Sequence, residues 1–318
     1  MLLKNSEMDI SSCKLSSIII CYKNLKLTLD CLKSVQAFKP SFSYEIICVD
    51  NNSNDNIKDF MKNDFSNVRF FQTGYNSGFS KASNLGIINS HGEYILLLNS
   101  DTKIDEPIFD RLIEYMDSHL DTGAIGPRHL LGDGRFQASY GKFPTLSTEI
   151  LSKVMQKRII PEGEVDWLSA SCLLLRRKAL QDVGLLDEAL FMYFEDVDLC
   201  TRIRKKGWRI RYFPKVSIVH YHGKSVETNV LTSLFEYRRS QLYFAKKYYG
   251  KIGELLVRAY LFLRFLIMGF WGILIFCFRK IFKKETQNAY TQILLSAKVI
   301  SMVLSYKTAQ PIEPILEV

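Results

Sequence analysis

Several absences bound what this 318-residue chain does. Its seven cysteines, Cys13, Cys21, Cys31, Cys48, Cys172, Cys200 and Cys277, contain no Cys-x-x-Cys pair, which excludes a thiolate zinc site of the usual spacing. They are odd in number and several sit in apolar runs, the pattern of reduced, buried thiols in a reducing compartment. There is no Gly-x-x-x-x-Gly-Lys loop, so nothing grips phosphates as P-loop enzymes do. Lys4, Glu7 and Asp9 interrupt the first residues, so they form no secretory signal, and the catalytic part is expected to stay in the cytoplasm. Arg264 breaks the most apolar stretch. It leaves Phe265–Phe278 uncharged, shorter than the roughly 20 residues of a spanning helix. Repeats and low-complexity tracts are also missing. With 47% hydrophobic and 24% charged residues, long disorder is excluded.

What is present is basic. The formal net charge is +9. Much of the excess lies between Lys251 and Lys284, where seven Lys and Arg residues face only Glu254. Basic residues beside the most apolar segment point to an anionic membrane surface and not to nucleic acid. A helix lying in the interface fits this segment, about 255–284, better than a true span.

Hydrophobic patterning predicts an α/β domain over residues 15–225, after a loose leader (1–14) and before a helical region (226–318). Ser17–Tyr22, Glu45–Val49, Val68–Phe71 and Tyr94–Leu98 read as buried strands, with helical spacing over Leu25–Phe38 and from Asn76 to Ile88. Short alternation of strand and helix predicts a mostly parallel sheet. Further on, Gly132-Asp133-Gly134 reads as a turn and Pro144–Pro161 as a loop with some helix. Cys172–Leu175, Arg209–Phe213 and Val216–Val219 read as strands, and Asp196 or Val197 opens a helix to Lys206.

Polar residues cluster where strands end. Leu96-Leu97-Leu98 empties into Asn99-Ser100-Asp101, the strand-end position at which open α/β sheets bind ligands. Asp101 suits a hard divalent cation, or else it caps a helix. Asp50, ahead of Asn51-Asn52-Ser53, is placed to accept the imide N–H of a uracil or thymine, or else to form a turn. Asn76-Ser77-Gly78 ahead of a helix allows backbone N–H groups to approach a phosphate. Glu195-Asp196-Val197-Asp198 packs three carboxylates at a helix start, one of them a candidate proton acceptor. Asp198 is expected to pair with Arg202. His220 closes a strand as a candidate metal ligand.

The order of these motifs resembles the inverting glycosyltransferases of family 2, of GT-A fold. Within them it resembles the rhamnosyltransferase-like branch that builds bacterial surface polysaccharides such as O-antigen or capsule. The resemblance runs from about Leu15 to Gly223 and rests on four blocks: Asp50–Ser53; Asn76-x-Gly78-Phe79 through Asn84-x-Gly86; Leu98–Asp101; and Phe191-x-Tyr193-x-Glu195-Asp196-Val197-Asp198-Leu199-Cys200-x-Arg202 with Gly207 and His220. It implies that Tyr22, Asp50, Asn76, Gly78, Asn84, Asn99 and Ser100 hold the donor. Asp101, with His220, would bind Mg²⁺ or Mn²⁺. Asp196 would be the general base with Glu195 beside it, and Trp167, Ser169 and Ala170 would face the acceptor. Lys23, Ala82 and Ser169 depart from the family pattern, and Asn99 replaces the first aspartate of its metal motif.

The implied reaction moves one sugar, rhamnose in this branch, from a dTDP or UDP sugar to a polyprenyl-diphosphate-linked saccharide, with inversion. Its place would be the cytoplasmic face of the bacterial inner membrane. No nucleic acid is involved. Two other readings stand beside it: a nucleotidyltransferase-type enzyme, and a non-catalytic membrane scaffold. Processive synthases share the fold but carry a Gln-x-x-Arg-Trp motif, which this chain lacks.

Overall fold

β-Branched and leucine-rich runs pair side by side because each has apolar side chains on both faces and needs cover on both. A computed structural model describes residues 13–145, 161–221, 230–282 and 285–305. Residues 1–12 of the expected leader and most of the Pro144–Pro161 loop lie outside the described residues, while the Lys14 N–H donates to Ser43 O at 3.0 Å.

The first half alternates as expected: β1 (Leu15–Cys21), α1 (Leu25–Ala37), β2 (Tyr44–Asp50), α2 (Ile57–Asn63), β3 (Arg69–Gln72), α3 (Phe79–Ile88) and β4 (Tyr94–Asn99). After the two-residue strand β5 (Thr102–Lys103) come α4 (Ile108–Ser118), β6 (Thr122–Leu130), β7 (Phe136–Gln137), β8 (Tyr140–Gly141), β9 (Gly163–Glu164), β10 (Trp167–Leu168) and β11 (Cys172–Arg176). The domain closes with α5 (Arg177–Val183), α6 (Glu195–Lys205) and β12 (Arg209–His220).

The sheet runs in the order β3-β2-β1-β4-β11-β6-β12-β5. β1 lies parallel to both β2 and β4, opposing Cys21 to Asp50 and Ile20 to Asn99. The strand order therefore reverses at β1, and ligands of open α/β sheets bind at the carboxyl ends of such a switch point. β11 is antiparallel to β4 and pairs Cys172 with Leu98, so the residues just before β11 arrive at the same end. The last pair of β12 and β5, His220 with Thr102, is formed there too. Two apolar layers cover the faces. Ile19, Leu96 and Leu98 face one and Ile18, Leu97 and Leu173 the other, all almost fully buried, at roughly 1.5–3 kcal/mol per side chain.

Three features differ from the sequence reading. α2 is a short helix that the Asn- and Asp-rich stretch before it conceals. β11 inserts antiparallel into the parallel frame. β12 is one strand and not two, because the chain passes Pro214 through a shift of register between Phe213 and Ser217 without leaving β6.

The chain forms two compact units. One holds the sheet and its helices; the other gathers Ala189–Phe194 with the C-terminal helices α7 (Val230–Ile281) and α8 (Gln287–Ser305). α7 is interrupted at Gly250, whose φ of 65° suits glycine. Beyond it α7 and α8 pack as a hairpin. A Cβ on Gly269 would lie 3.1 Å from Ser296 Cβ, and one on Gly272 3.1 Å from Ile293 Cγ1. Both glycines therefore permit the close approach. On the opposite face of α7, Ile252, Leu256, Leu263, Ile267, Phe270 and Leu274 are exposed at helical spacing. Arg264 lies beside this stripe, bonded to Tyr260 Oη at 2.6 Å. The exposed residues of α8 include Gln287, Gln292, Lys298 and Ser301.

Candidate active site

Three strand ends meet at the switch point. Asp50, at the tip of β2, is buried, and each of its carboxylate oxygens accepts one hydrogen bond. Its Oδ1 accepts the Ser53 N–H at 2.9 Å, forming the turn its neighbours predict, and its Oδ2 accepts from Gln72 Nε2 at 3.0 Å. Gln72 lies opposite Asp50 in the β2–β3 register, and nothing in the sequence singled it out. Asn51 links this tip to the loop ahead of α3. Its Oδ1 accepts from the Ser77 N–H at 2.8 Å, and its Nδ2 donates to Asn76 Oδ1 at 3.0 Å. Gly78 then opens α3 with φ 82°, a conformation that suits glycine. Tyr22 follows β1, with the Lys23 ammonium 5.3 Å from its ring.

Asn84, expected on the donor side, is 2% exposed. Its amide bonds both the N–H and the C=O of Leu186, at 3.0 and 2.9 Å, and reaches Glu188 Oε1 at 3.0 Å, so it holds the turn after α5.

Asn99, Ser100 and Asp101 carry β4 into β5. The Asn99 N–H donates to Ser171 O at 3.0 Å, tying this tip to the segment before β11. Asp101 caps no helix, since β5 follows it directly and α4 begins only at Ile108. Instead it is buried, with Oδ1 3.2 Å from His220 Nε2. His220 Nδ1 lies 3.1 Å from Gln137 Oε1. The pair could offer a cation one hard carboxylate oxygen and one softer imidazole nitrogen. Among the described residues no third His, Cys, Asp or Glu joins them. Gln137, which orients the imidazole, carried no signal of its own.

α6 begins with Glu195 and Asp196. Asp196 is half-buried. Its Oδ1 accepts the Val197 N–H at 2.8 Å and its Oδ2 the Ala170 N–H at 3.3 Å. Burial pushes its pKa up to about 6 against those two bonds. Glu195 is buried, and burial and the adjacent Asp196 hold its carboxyl well above the ordinary range. Its Oε2 has no hydrogen-bond partner among the described residues. Two carboxyls whose pKa values burial raises thus lie side by side, that of Asp196 near 6, a combination suited to proton transfer. Asp198 is fully buried and paired with Arg202 at 2.8 Å, the structural pair expected from spacing.

The Trp167–Ser171 segment contributes Ala170 to Asp196 and Ser171 to β4. Trp167 packs on Gly141, where an added Cβ would fall 2.7 Å from the indole, and donates from Nε1 to Lys142 O at 2.9 Å. Ser169 Oγ lies 2.9 Å from Ser171 Oγ, which meets His129 Nε2 at 3.1 Å. Burial holds the His129 pKa down at about 3, so this ring stays neutral.

Comparison with known proteins identifies the family. The family described as Glycosyl transferase family 2 matches residues 16–184. The chain is similar to the N-acetylglucosaminyl-diphospho-decaprenol L-rhamnosyltransferase of Mycobacterium tuberculosis (strain CDC 1551 / Oshkosh). They are 30% identical over 225 residues, covering 63% of this chain and 73% of the relative. It is also similar to the dTDP-rhamnosyl transferase RfbF of Shigella flexneri, at 26% identity over 66% of this chain and 70% of that one. In fold it is similar to GalNAc-T7, solved with UDP, GalNAc and Mn²⁺. The TM-score is 0.53 at 14% identity, covering 66% of this chain and 44% of that one, so the chain spans less than half of the solved protein.

Proposed function

Since the chain belongs to glycosyl transferase family 2 and to its rhamnosyltransferase-like members, we propose that it moves a single sugar, rhamnose, from a dTDP or UDP donor to a polyprenyl-diphosphate-linked saccharide, inverting the anomeric centre. The product belongs to bacterial surface polysaccharide. One observation carries the reading: Asp196, with its pKa near 6, is bound to the acceptor-side residue Ala170. Asp50 and Asp101, read here as donor-side residues, lie at the ends of β2 and β4, the two strands that flank β1. Relatives that act with dTDP-rhamnose and with a decaprenol-diphosphate acceptor support the substrate classes.

In the reaction, the acceptor hydroxyl attacks the anomeric carbon as the bond from that carbon to the diphosphate oxygen breaks. Asp196 takes the hydroxyl proton, and its pKa places it in the proton-accepting form at neutral pH. Glu195 beside it holds its proton more tightly than a free carboxyl does, through burial and the neighbouring Asp196. Asp50 receives the base edge with Gln72 fixing its carboxylate, and Gly78 lets the α3 backbone approach the diphosphate. Asp101 and His220 would hold Mg²⁺ or Mn²⁺, which when bound neutralises charge on the leaving diphosphate. The Mn²⁺ in GalNAc-T7 accords with this, although the likeness to that protein extends to fold alone.

The C-terminal hairpin would keep the enzyme at the cytoplasmic face of the inner membrane. α7 exposes apolar residues in the stripe and beyond it, Leu266, Trp271 and Ile273 among them, and α8 exposes Gln292 and Lys298 beside Tyr290 and Leu304, a mixture that suits a hairpin lying in the interface. A span would bring Gln292 and Lys298 into hydrocarbon. Arg279 and Lys280 at the end of α7 suit anionic headgroups.

The test is transfer itself. The full chain is incubated with dTDP-rhamnose or UDP sugars, a polyprenyl-diphosphate-linked N-acetylglucosamine, and Mg²⁺ or Mn²⁺, and the lipid product is weighed by mass spectrometry. An added deoxyhexose is expected with dTDP-rhamnose. Absence of transfer from every donor, with the donors bound, would overturn the reading.

A further inference from the structure

The residues just before the base adopt a backbone that their own chemistry disfavours. Tyr193 has φ 70° and Phe194 φ 67°. Among the described residues only Lys23, Asn52 and Asn54 are other non-glycine residues with positive φ, and two consecutive aromatics there are exceptional. Such a conformation persists only where its surroundings over-determine it.

The surroundings are the first half of α7. Ser240, 3% exposed, donates from Oγ to Met192 O at 2.8 Å. Tyr237 meets the Tyr193 ring edge-on at 5.6 Å between centroids and the Phe194 ring at 5.1 Å. Phe244, almost fully buried, takes the other contact of Phe194 at 5.3 Å. Phe194 is thus packed between two rings of one helix. The next peptide bond leads to Glu195 and then Asp196, the first residues of α6.

We infer that Tyr237, Ser240 and Phe244 are positioning residues, which hold Tyr193 and Phe194 in the left-handed conformation and so fix the approach of Asp196 to the acceptor hydroxyl. The inference rests on the reading of Asp196 as the base. Its physical content is orientation: a reacting group displaced by about 1 Å loses on the order of 10²-fold in rate, while substrate held by other residues binds as before.

The experiment compares transfer kinetics of the full chain with those of Tyr237→Leu, Ser240→Ala and the conservative Tyr237→Phe. Tyr237→Leu is expected to lower kcat by roughly 10–100-fold with the donor KM within about twofold. Tyr237→Phe, which keeps the ring, should stay near wild type. The acid limb of the kcat profile gives a second readout. The groups around the Asp196 carboxyl are Glu195 beside it, Cys200 one turn on, and the Val197 and Ala170 N–H donors. A base that swings toward water loses the burial that raises its pKa, so the limb should move to lower pH in Tyr237→Leu.

Tyr193 provides variants outside the helix. Tyr193→Gly tolerates φ near 70° without cost, whereas Tyr193→Val does not. Glycine is therefore expected to retain more kcat than valine even if Tyr237→Leu fails to fold. Wild-type kcat and an unmoved limb in folded Tyr237→Leu would overturn the inference, as would equal kcat for the two Tyr193 variants. If Asp196→Asn itself transfers sugar at the wild-type rate, the base assignment is what fails, and the positioning role falls with it.

Discussion

Asp101 Oδ1 and His220 Nε2 lie 3.2 Å apart, with Gln137 fixing the other face of the imidazole. The contact exists because β12 runs back to pair His220 with Thr102, the neighbour of Asp101. Removing either group should weaken the binding of a divalent cation together with the donor. Asp101→Ala and His220→Ala are each expected to abolish the gain in dTDP affinity that Mn²⁺ gives the wild type, measured by titration calorimetry with and without a chelator. An unchanged metal-dependent gain would remove the residue from the cation site.

Asp196→Asn keeps the shape of the carboxyl but removes its basicity. Transfer should fall about 10²–10⁴-fold while the donor dissociation constant stays within a factor of two or so. Stopped assays of lipid product, alongside donor titration, measure both.

The same carboxyl sets the acid side of the pH profile. Asp196 has to be deprotonated to accept the hydroxyl proton, and its pKa lies near 6. Log kcat is therefore expected to climb about one unit per pH unit below that value and to level off above it. A profile flat down to pH 4 would be incompatible with this base.

Glu195 makes a prediction about stability. Its pKa is higher in the fold than the ordinary value of 4.5, so the folded protein holds this proton more tightly than the unfolded chain. Ionisation then costs the fold stability, beginning as pH rises past about 4.5 and continuing until the folded pKa is reached. Glu195→Gln escapes that loss. Its Tm should match wild type near pH 4 and exceed it increasingly toward pH 8, in thermal scans at matched salt.

The hairpin reading predicts lipid binding through the exposed apolar residues of α7. Leu263→Ser with Ile267→Ser, both on the exposed stripe, should release the protein from anionic vesicles in co-sedimentation. Trp271, 58% exposed in the same stretch, should shift its emission to the blue when vesicles are added to wild type and not to the double variant.

The positions of several candidate residues were legible because they sit at strand ends. A buried strand announces itself by an unbroken apolar run, and the first polar residues after it, Asp50 and Asn99-Ser100-Asp101, are then placed by pattern alone. The Asp198–Arg202 pair was legible for a similar reason, since helical spacing decides it. Gln72, Asn51 and Gln137 were not. Each is an ordinary polar residue whose role comes from a partner in another part of the chain, brought near by strand register.

The sequence by itself determined a mostly parallel α/β sheet, the carboxyl-end location of the polar tips and the acidic opening of α6, because apolar periodicity and local helix chemistry act over a few residues. Tertiary structure alone decided the rest. The antiparallel entry of β11 brings Ala170 to Asp196, and the return of β12 brings His220 to Asp101. The packing of Tyr237 and Phe244 around Phe194 sustains a backbone that local preference opposes. Those outcomes depend on contacts between segments distant in the chain, whose free energy is set by burial and register, and which no local pattern encodes.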